Sequence, residues 1–178
     1  NNVETIGDLI KNFDDYLSFN GLDNLKQITG KLDFISTYGN INFNGLHNIN
    51  YINYFSANVI GVDTLSFIGL ETLRRIDTLF ITGSHALIKD CNSLNGITSL
   101  QKLYLNTVFG NVDLDFMSNI IVMKELLLSS TKAKNLNGLR NIQFIERGLT
   151  VMENRLLLNC CGIKNLLANG GVQGSIRI

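Results

Sequence analysis

The chain of 178 residues has no proline and no tryptophan. Without proline, its turns must rest on glycine and on small polar residues. Fifteen basic residues balance fifteen acidic ones. A formal net charge of zero removes the electrostatic footprint of a nucleic-acid binder. It also leaves no polybasic segment for an anionic membrane surface. Apolar runs such as Leu126 to Leu128 are far too short to span a bilayer. No signal peptide is visible; the chain opens on Asn1, and a missing leader says nothing about secretion. Asn-x-Ser/Thr acceptors are missing as well.

Histidine and cysteine are scarce. His47 and His85 have no Cys or carboxylate at ligand spacing, so no metal site and no cofactor is expected. Cys91, Cys160 and Cys161 are an odd count with one adjacent pair, which is not a disulfide framework. Cys91 is expected either to pack as a small apolar residue or to lie near a turn. No cationic neighbour in sequence activates Cys160 or Cys161. Catalytic and phosphate-binding signatures are also lacking. Gly30-Lys31 is followed by Leu32, so there is no P-loop, and neither Gly-x-Gly-x-x-Gly, His-Glu-x-x-His nor Gly-x-Ser-x-Gly occurs.

What is present is asparagine, at 24 positions, and a repeat. Asparagine tolerates left-handed backbone and hydrogen-bonds locally in turns. Phe19-Asn20-Gly21-Leu22 is echoed by Phe43-Asn44-Gly45-Leu46, Phe67-Ile68-Gly69-Leu70, Leu94-Asn95-Gly96-Ile97, Leu136-Asn137-Gly138-Leu139 and Cys160-Cys161-Gly162-Ile163. A degenerate copy around Leu114 has Phe116 in the glycine slot. Successive intervals are 24, 24, 27, 20, 22 and 24 residues. That period is too short for helical hairpins and fits a leucine-rich unit made of strand and loop.

Each unit divides by chemistry. The residue two before the glycine (Phe19, Phe43, Phe67, Leu94, Leu114, Leu136, Cys160) is expected to stack as one interior column. The glycine supplies positive φ or lets neighbouring units approach. A short alternating strand follows, with inward pairs Leu32/Phe34, Phe55/Ala57, Leu79/Ile81, Leu103/Leu105, Leu126/Leu128 and Leu149/Val151. No unit buries its apolar side alone; stacking makes the core continuous. The expected fold is a mainly β, right-handed leucine-rich solenoid of about seven coils, one domain over 1–178. Residues 1–18 are expected to be part of a first coil and not a helix, because Ile6-Gly7-Asp8-Leu9-Ile10 resembles Ile28-Thr29-Gly30-Lys31-Leu32 one residue shorter. A cap over about 158–178 closes the other end. It has a short helix at 160–168 led by Asn159, a stop at Gly170-Gly171 and a strand over Ser175 to Ile178.

Aligning the units also gives the outward columns. One reads Asp33, Ser56, Phe80, Tyr104, Leu127, Thr150, and its neighbour Lys31, Tyr54, Thr78, Lys102, Glu125, Gly148. Phe80, Tyr104 and Leu127 would lie on adjacent strands about 4.8 Å apart, with Tyr54 at the edge of the stripe. Exposed apolar patches with aromatic anchors mark interfaces. Asp113 and Asp115 are the sharpest acid pair, read as one outward strand face about 7 Å apart. Such a pair could serve glycoside hydrolysis or, with Asn111, hold calcium. The plainer expectation is a solvated outer face, because a general acid needs burial.

These units resemble the receptor L-domain-like, leucine-rich-repeat solenoids of Bacteroides-type bacterial surface proteins. The run Leu22 to Phe34 follows their "L-x-G-L-x-x-L-x-x-I-x-G-x-L-x-I" pattern, and Cys160-Cys161 through Leu166-Leu167-Ala168-Asn169-Gly170-Gly171 resembles their terminal cap. The departures are Phe116 for Gly and loss of the strand-lead glycine in several units. The resemblance implies a secreted or cell-surface, non-catalytic recognition module, with no catalytic residues to carry over. It would bind a protein or glycan through Tyr54, Phe80, Tyr104 and Leu127, without nucleic acid and without spanning a membrane. A homodimer through the same stripe is compatible with it. The competing readings are a polysaccharide-active parallel β-helix enzyme and a structural or self-association spacer.

Overall fold

The computed structural model describes residues 2–13, 19–36, 39–83, 86–108 and 112–178. Among these, nine strands form one parallel sheet: β1 (Thr5–Ile6), β2 (Leu9–Phe13), β3 (Gln27–Ser36), β5 (Tyr51–Val59), β7 (Arg75–Thr82), β9 (Ser99–Asn106), β10 (Val122–Ser129), β11 (Phe144–Met152) and β12 (Ser175–Arg177). Apart from β1 and β2, which both pair with β3, each strand neighbours the next in chain order. Three short strands, β4 (Asn40–Ile41), β6 (Thr64–Ser66) and β8 (Leu87–Lys89), build a second parallel sheet from the intervening segments. The chain is therefore mainly β, and its one α-helix among the described residues is α1 (Lys164–Ala168), near the C-terminus. Parallel neighbours cannot be joined by a tight hairpin, so each pairing demands a long connection, which the repeat length supplies.

Register follows the apolar pattern. Leu9, Leu32, Phe55, Leu79, Leu103, Leu126 and Leu149 are paired in one line across the sheet. A second line joins Ile28, Ile52, Ile76 and Leu100. All the inward pairs expected from the sequence, Leu32/Phe34 through Leu149/Val151, are buried. Within a strand such as β5, the inward residues Ile52, Phe55 and Ala57 are spaced by three and then by two. The same spacing recurs in β7, β9 and β10. Each strand thus breaks its alternation once, turning two consecutive residues partly outward. In β3 and β11 the lead carries one more residue than its neighbours. Both leads contain a glycine, Gly30 in β3 and, one register position further along, Gly148 in β11, and the lead of β3 is one residue longer than that of the first unit.

The column two before the glycine fills the corner. Phe43 lies 5.4 Å from Phe19 and 6.2 Å from Phe67, both stacked, and packs edge-on against Phe55 at 5.4 Å. Full burial of such a ring contributes about 1.5–3 kcal/mol. In all seven units the carbonyl of the column residue accepts the N–H three residues on, from the Leu22 N–H on Phe19 to the Ile163 N–H on Cys160. This closes the corner without leaving a buried carbonyl unpaired.

The glycines divide into two groups. Gly21, Gly45 and Gly69 have φ of +84°, +98° and +100°. Gly96, Gly138 and Gly162 do not; Gly96 backs onto the Arg74 guanidinium, whereas Gly138 and Gly162 sit in 3-10 turns, where a Cβ would strike the column carbonyl of the preceding unit at 1.8 and 1.7 Å. In the unit without the glycine, Phe116 is itself buried within the 3-10 turn Asp115–Asn119.

Several expectations need correction. Cys160 is exposed, not an interior column residue, because no following unit of the described chain packs over it. Asp113 and Asp115 do not lie on a strand: Asp113 precedes the 3-10 turn that Asp115 begins. The alternation of buried Val112, Leu114 and Phe116 with exposed aspartates holds, but it comes from a corner. Asparagine does not supply left-handed backbone; among the described residues the non-glycine positions with positive φ are Asp90, Thr107, Ser130 and Glu153. It works through its side chain instead. Asn42, Asn135 and Asn159 each accept the N–H two residues on, as Ser66 and Asp113 do in the same slot. Asn48, Asn119 and Asn141 donate to carbonyls of the preceding unit. The helix expected at 160–168 begins as a 3-10 turn, Cys161–Ile163, before α1. Gly170, at φ +64°, ends it.

Candidate ligand-binding face

The outward side of the main sheet starts from strand pairing. Asp33, Ser56, Phe80, Tyr104, Leu127 and Thr150 are successive partners across β3, β5, β7, β9, β10 and β11. Lys31, Tyr54, Thr78, Lys102, Glu125 and Gly148 form the neighbouring line. Side chains two apart on a strand share a face, so both lines point outward together. Phe80, Tyr104 and Leu127 stand side by side and half-buried, with ring centroids of Phe80 and Tyr104 6.1 Å apart and tilted by 55°. Tyr54 lies one line over, on the strand next to that of Phe80, with Lys31 Nζ 5.9 Å from its ring centroid. The structure thus brings the four residues onto one face, three of them contiguous.

Tyr104 is held at both ends. Its ring packs beside Phe80 and its hydroxyl donates to Glu125 Oε2 at 2.6 Å. Burial pushes the phenol well above the ordinary tyrosine range; the hydrogen bond and the charge of Glu125 push the same way, against Arg147. The ring is therefore a neutral, oriented platform at physiological pH. A third line of outward residues, Asn58, Thr82, Asn106 and Ser129, follows two positions along the strands. The apolar stripe is thus bordered by hydrogen-bonding side chains on one side and by Lys102 and Glu125 on the other.

At the lead of the same strands lies a polar cluster that sequence reasoning missed. Asp77 accepts from Arg75 Nε at 2.8 Å, from Gln101 Nε2 at 3.2 Å and from the Tyr51 hydroxyl at 3.1 Å. The Arg75 guanidinium sits 5.1 Å from the Tyr51 ring centroid. The Asp77 pKa lies below the ordinary carboxylate value: burial alone would raise it, but the bonds from Arg75, Tyr51 and Gln101 and the Arg75 charge outweigh that. The pairing of Tyr51 with Arg75 across strands was the available signal. An aspartate with three donors is occupied as an acceptor, and the cluster braces β5, β7 and β9.

The acid pair is not assembled as a catalytic couple. Asp113 Oδ1 accepts the Asp115 N–H at 2.9 Å, and both side chains are exposed. Asn111 lies outside the described residues, as does His85. His47 Nδ1 lies 3.6 Å from Asp23 Oδ1, a contact from the preceding unit that no local spacing reveals. Among the described residues no three His, Cys, Asp or Glu side chains cluster as a metal site would need. Among them, too, no helix is long and apolar enough to cross a membrane. Cys91 is buried at the start of a 3-10 turn, and burial pushes its thiol up to about 11.

No family model matches the chain, and no match was found among curated proteins or solved structures.

Proposed function

We propose that the chain is a right-handed leucine-rich solenoid of the receptor L-domain-like kind. In this reading it is a non-catalytic recognition module, secreted or displayed at a cell surface. It binds a protein or glycan partner through the outward face of its main sheet. Tyr54, Phe80, Tyr104 and Leu127 are the contact residues. The solenoid reading is supported by the regular succession of parallel strands at repeat spacing, and the right hand by the strong preference of parallel crossovers. The binding reading is carried by one observation: Phe80, Tyr104 and Leu127 are paired residue to residue on adjacent strands, making a contiguous apolar stripe with polar borders. Such stripes are typical of interfaces, and rigid aromatic rings are favoured anchors because they lose little side-chain entropy.

Screening on glycan and protein arrays tests this, comparing the natural chain with a Phe80→Ser/Tyr104→Ser variant of unchanged circular dichroism. Binding lost in the variant supports the face; an identified ligand bound equally by both refutes it. Light scattering separates self-association: a dimer dissociated by Tyr104→Glu would assign the stripe to a second copy instead.

A further inference from the structure

A concavity of about 590 Å3 opens where the segments leading into β10 and β11 meet α1. It shares no residue with the aromatic stripe. Carboxamides dominate its lining: Asn119, Asn141, Gln143, Asn165 and Asn169. No aspartate or glutamate lines it, and Arg140 is its single charged side chain. Among the described residues no carboxylate lies within ion-pair distance of Arg140. Ile121, 52% exposed, gives one apolar contact at the rim.

Asn119, Asn141 and Asn165 fill the same slot in successive units, three residues after Phe116, Gly138 and Gly162. They occupy corresponding corners: Asn119 closes a 3-10 turn, Asn141 lies in a turn and Asn165 lies in α1. Two are fixed by the fold. Asn119 Nδ2 donates to the Asn95 carbonyl at 2.9 Å, and Asn141 Nδ2 to the Ser118 carbonyl at 2.6 Å. With the amide nitrogens so engaged, the Oδ1 atoms remain as oriented acceptors, and among the described residues no donor occupies them. Fixed acceptors on Asn119 and Asn141 beside an unpaired guanidinium suit a ligand carrying hydroxyl donors and a carboxylate.

We propose that this groove binds an acidic saccharide, with its carboxylate on Arg140 and its hydroxyls on the asparagines. Hydroxyl hydrogens rotate to meet fixed acceptors. Arg140 pairs a planar carboxylate through two parallel hydrogen bonds.

Titration of the protein with tetragalacturonate, followed by NMR of the side-chain amides, tests the assignment. Saturable shifts of the Asn119, Asn141 and Asn165 amide signals are expected. Arg140→Gln, at an exposed position, and full methyl esterification of the saccharide should each weaken binding about tenfold, the scale of one charge-assisted pair. Phe80→Ser/Tyr104→Ser should bind as the natural chain does, which separates this groove from the sheet face. No saturable shift, or equal affinity in Arg140→Gln, overturns the proposal. Tetraglutamate binding as tightly as the saccharide overturns it in favour of an acidic peptide.

Discussion

The Tyr104 hydroxyl donates to Glu125 Oε2 from the neighbouring strand, at 2.6 Å. The two are diagonal neighbours, since Glu125 pairs with Lys102 and Tyr104 lies two residues further along β9. The bond fixes the ring at the centre of the stripe and ties its ionisation to β10.

Tyr104 should titrate above an ordinary tyrosine in an ultraviolet absorbance titration. Glu125→Gln should bring it only part of the way back, because burial, the larger cause, remains. The sign for stability follows. A phenol whose folded pKa is raised favours the folded state below the unfolded value of about 10. That contribution is lost as pH rises through the folded value. Tyr104→Phe should flatten the loss of stability above about pH 10 relative to the natural chain.

Phe43→Ala removes the ring that touches Phe19, Phe34, Phe55 and Phe67. Urea denaturation should show a loss of about 3–5 kcal/mol, the range for emptying a buried phenylalanine site. A loss under about 1 kcal/mol would mean that the column is not the packed interior.

Gly21→Ala and Gly45→Ala should differ despite similar φ of +84° and +98°. At Gly21 nothing lies within 4 Å of a new Cβ, so only the left-handed penalty of about 1–2 kcal/mol applies. At Gly45 the Cβ would also meet the Phe19 carbonyl oxygen at 2.2 Å. Crowding should add roughly 1–3 kcal/mol, read as a lower denaturation midpoint.

Asn154→Ala should cost more than its partly exposed position suggests. Its Oδ1 accepts from the Thr131 N–H at 2.9 Å and hydroxyl at 2.5 Å, and its Nδ2 donates to the Leu128 and Met152 carbonyls. Thr131 is buried, so its donors would be left without this partner. A loss of about 1–3 kcal/mol with faster amide exchange at Thr131 is expected.

Thiol labelling should distinguish the cysteines. Cys160 and Cys161 are exposed and should react in the folded protein, whereas Cys91, buried and with its thiol pushed up to about 11, should react only on unfolding. Labelling of all three thiols at one rate in the folded state would contradict the buried placement.

The repeat frame, the inward pairs and both outward lines were legible in residue order alone, including the partnership of Phe80 with Tyr104 and of Tyr104 with Leu127. They were so because a strand's two faces alternate and a register slip of one residue would expose a whole apolar set. The short second sheet was harder to read, since two- and three-residue strands such as Asn40–Ile41 carry too little pattern. Tertiary structure alone decided what the polar side chains do. Asp113 became a corner acceptor, Asp77 a three-donor hub, and Asn119 and Asn141 oriented groups in a groove. Cys160 was left uncovered. Burial is dictated by a residue type's transfer from water, which each position carries locally. A hydrogen-bond partner lies one repeat away in the chain, and which atom it presents depends on how the neighbouring corner folds.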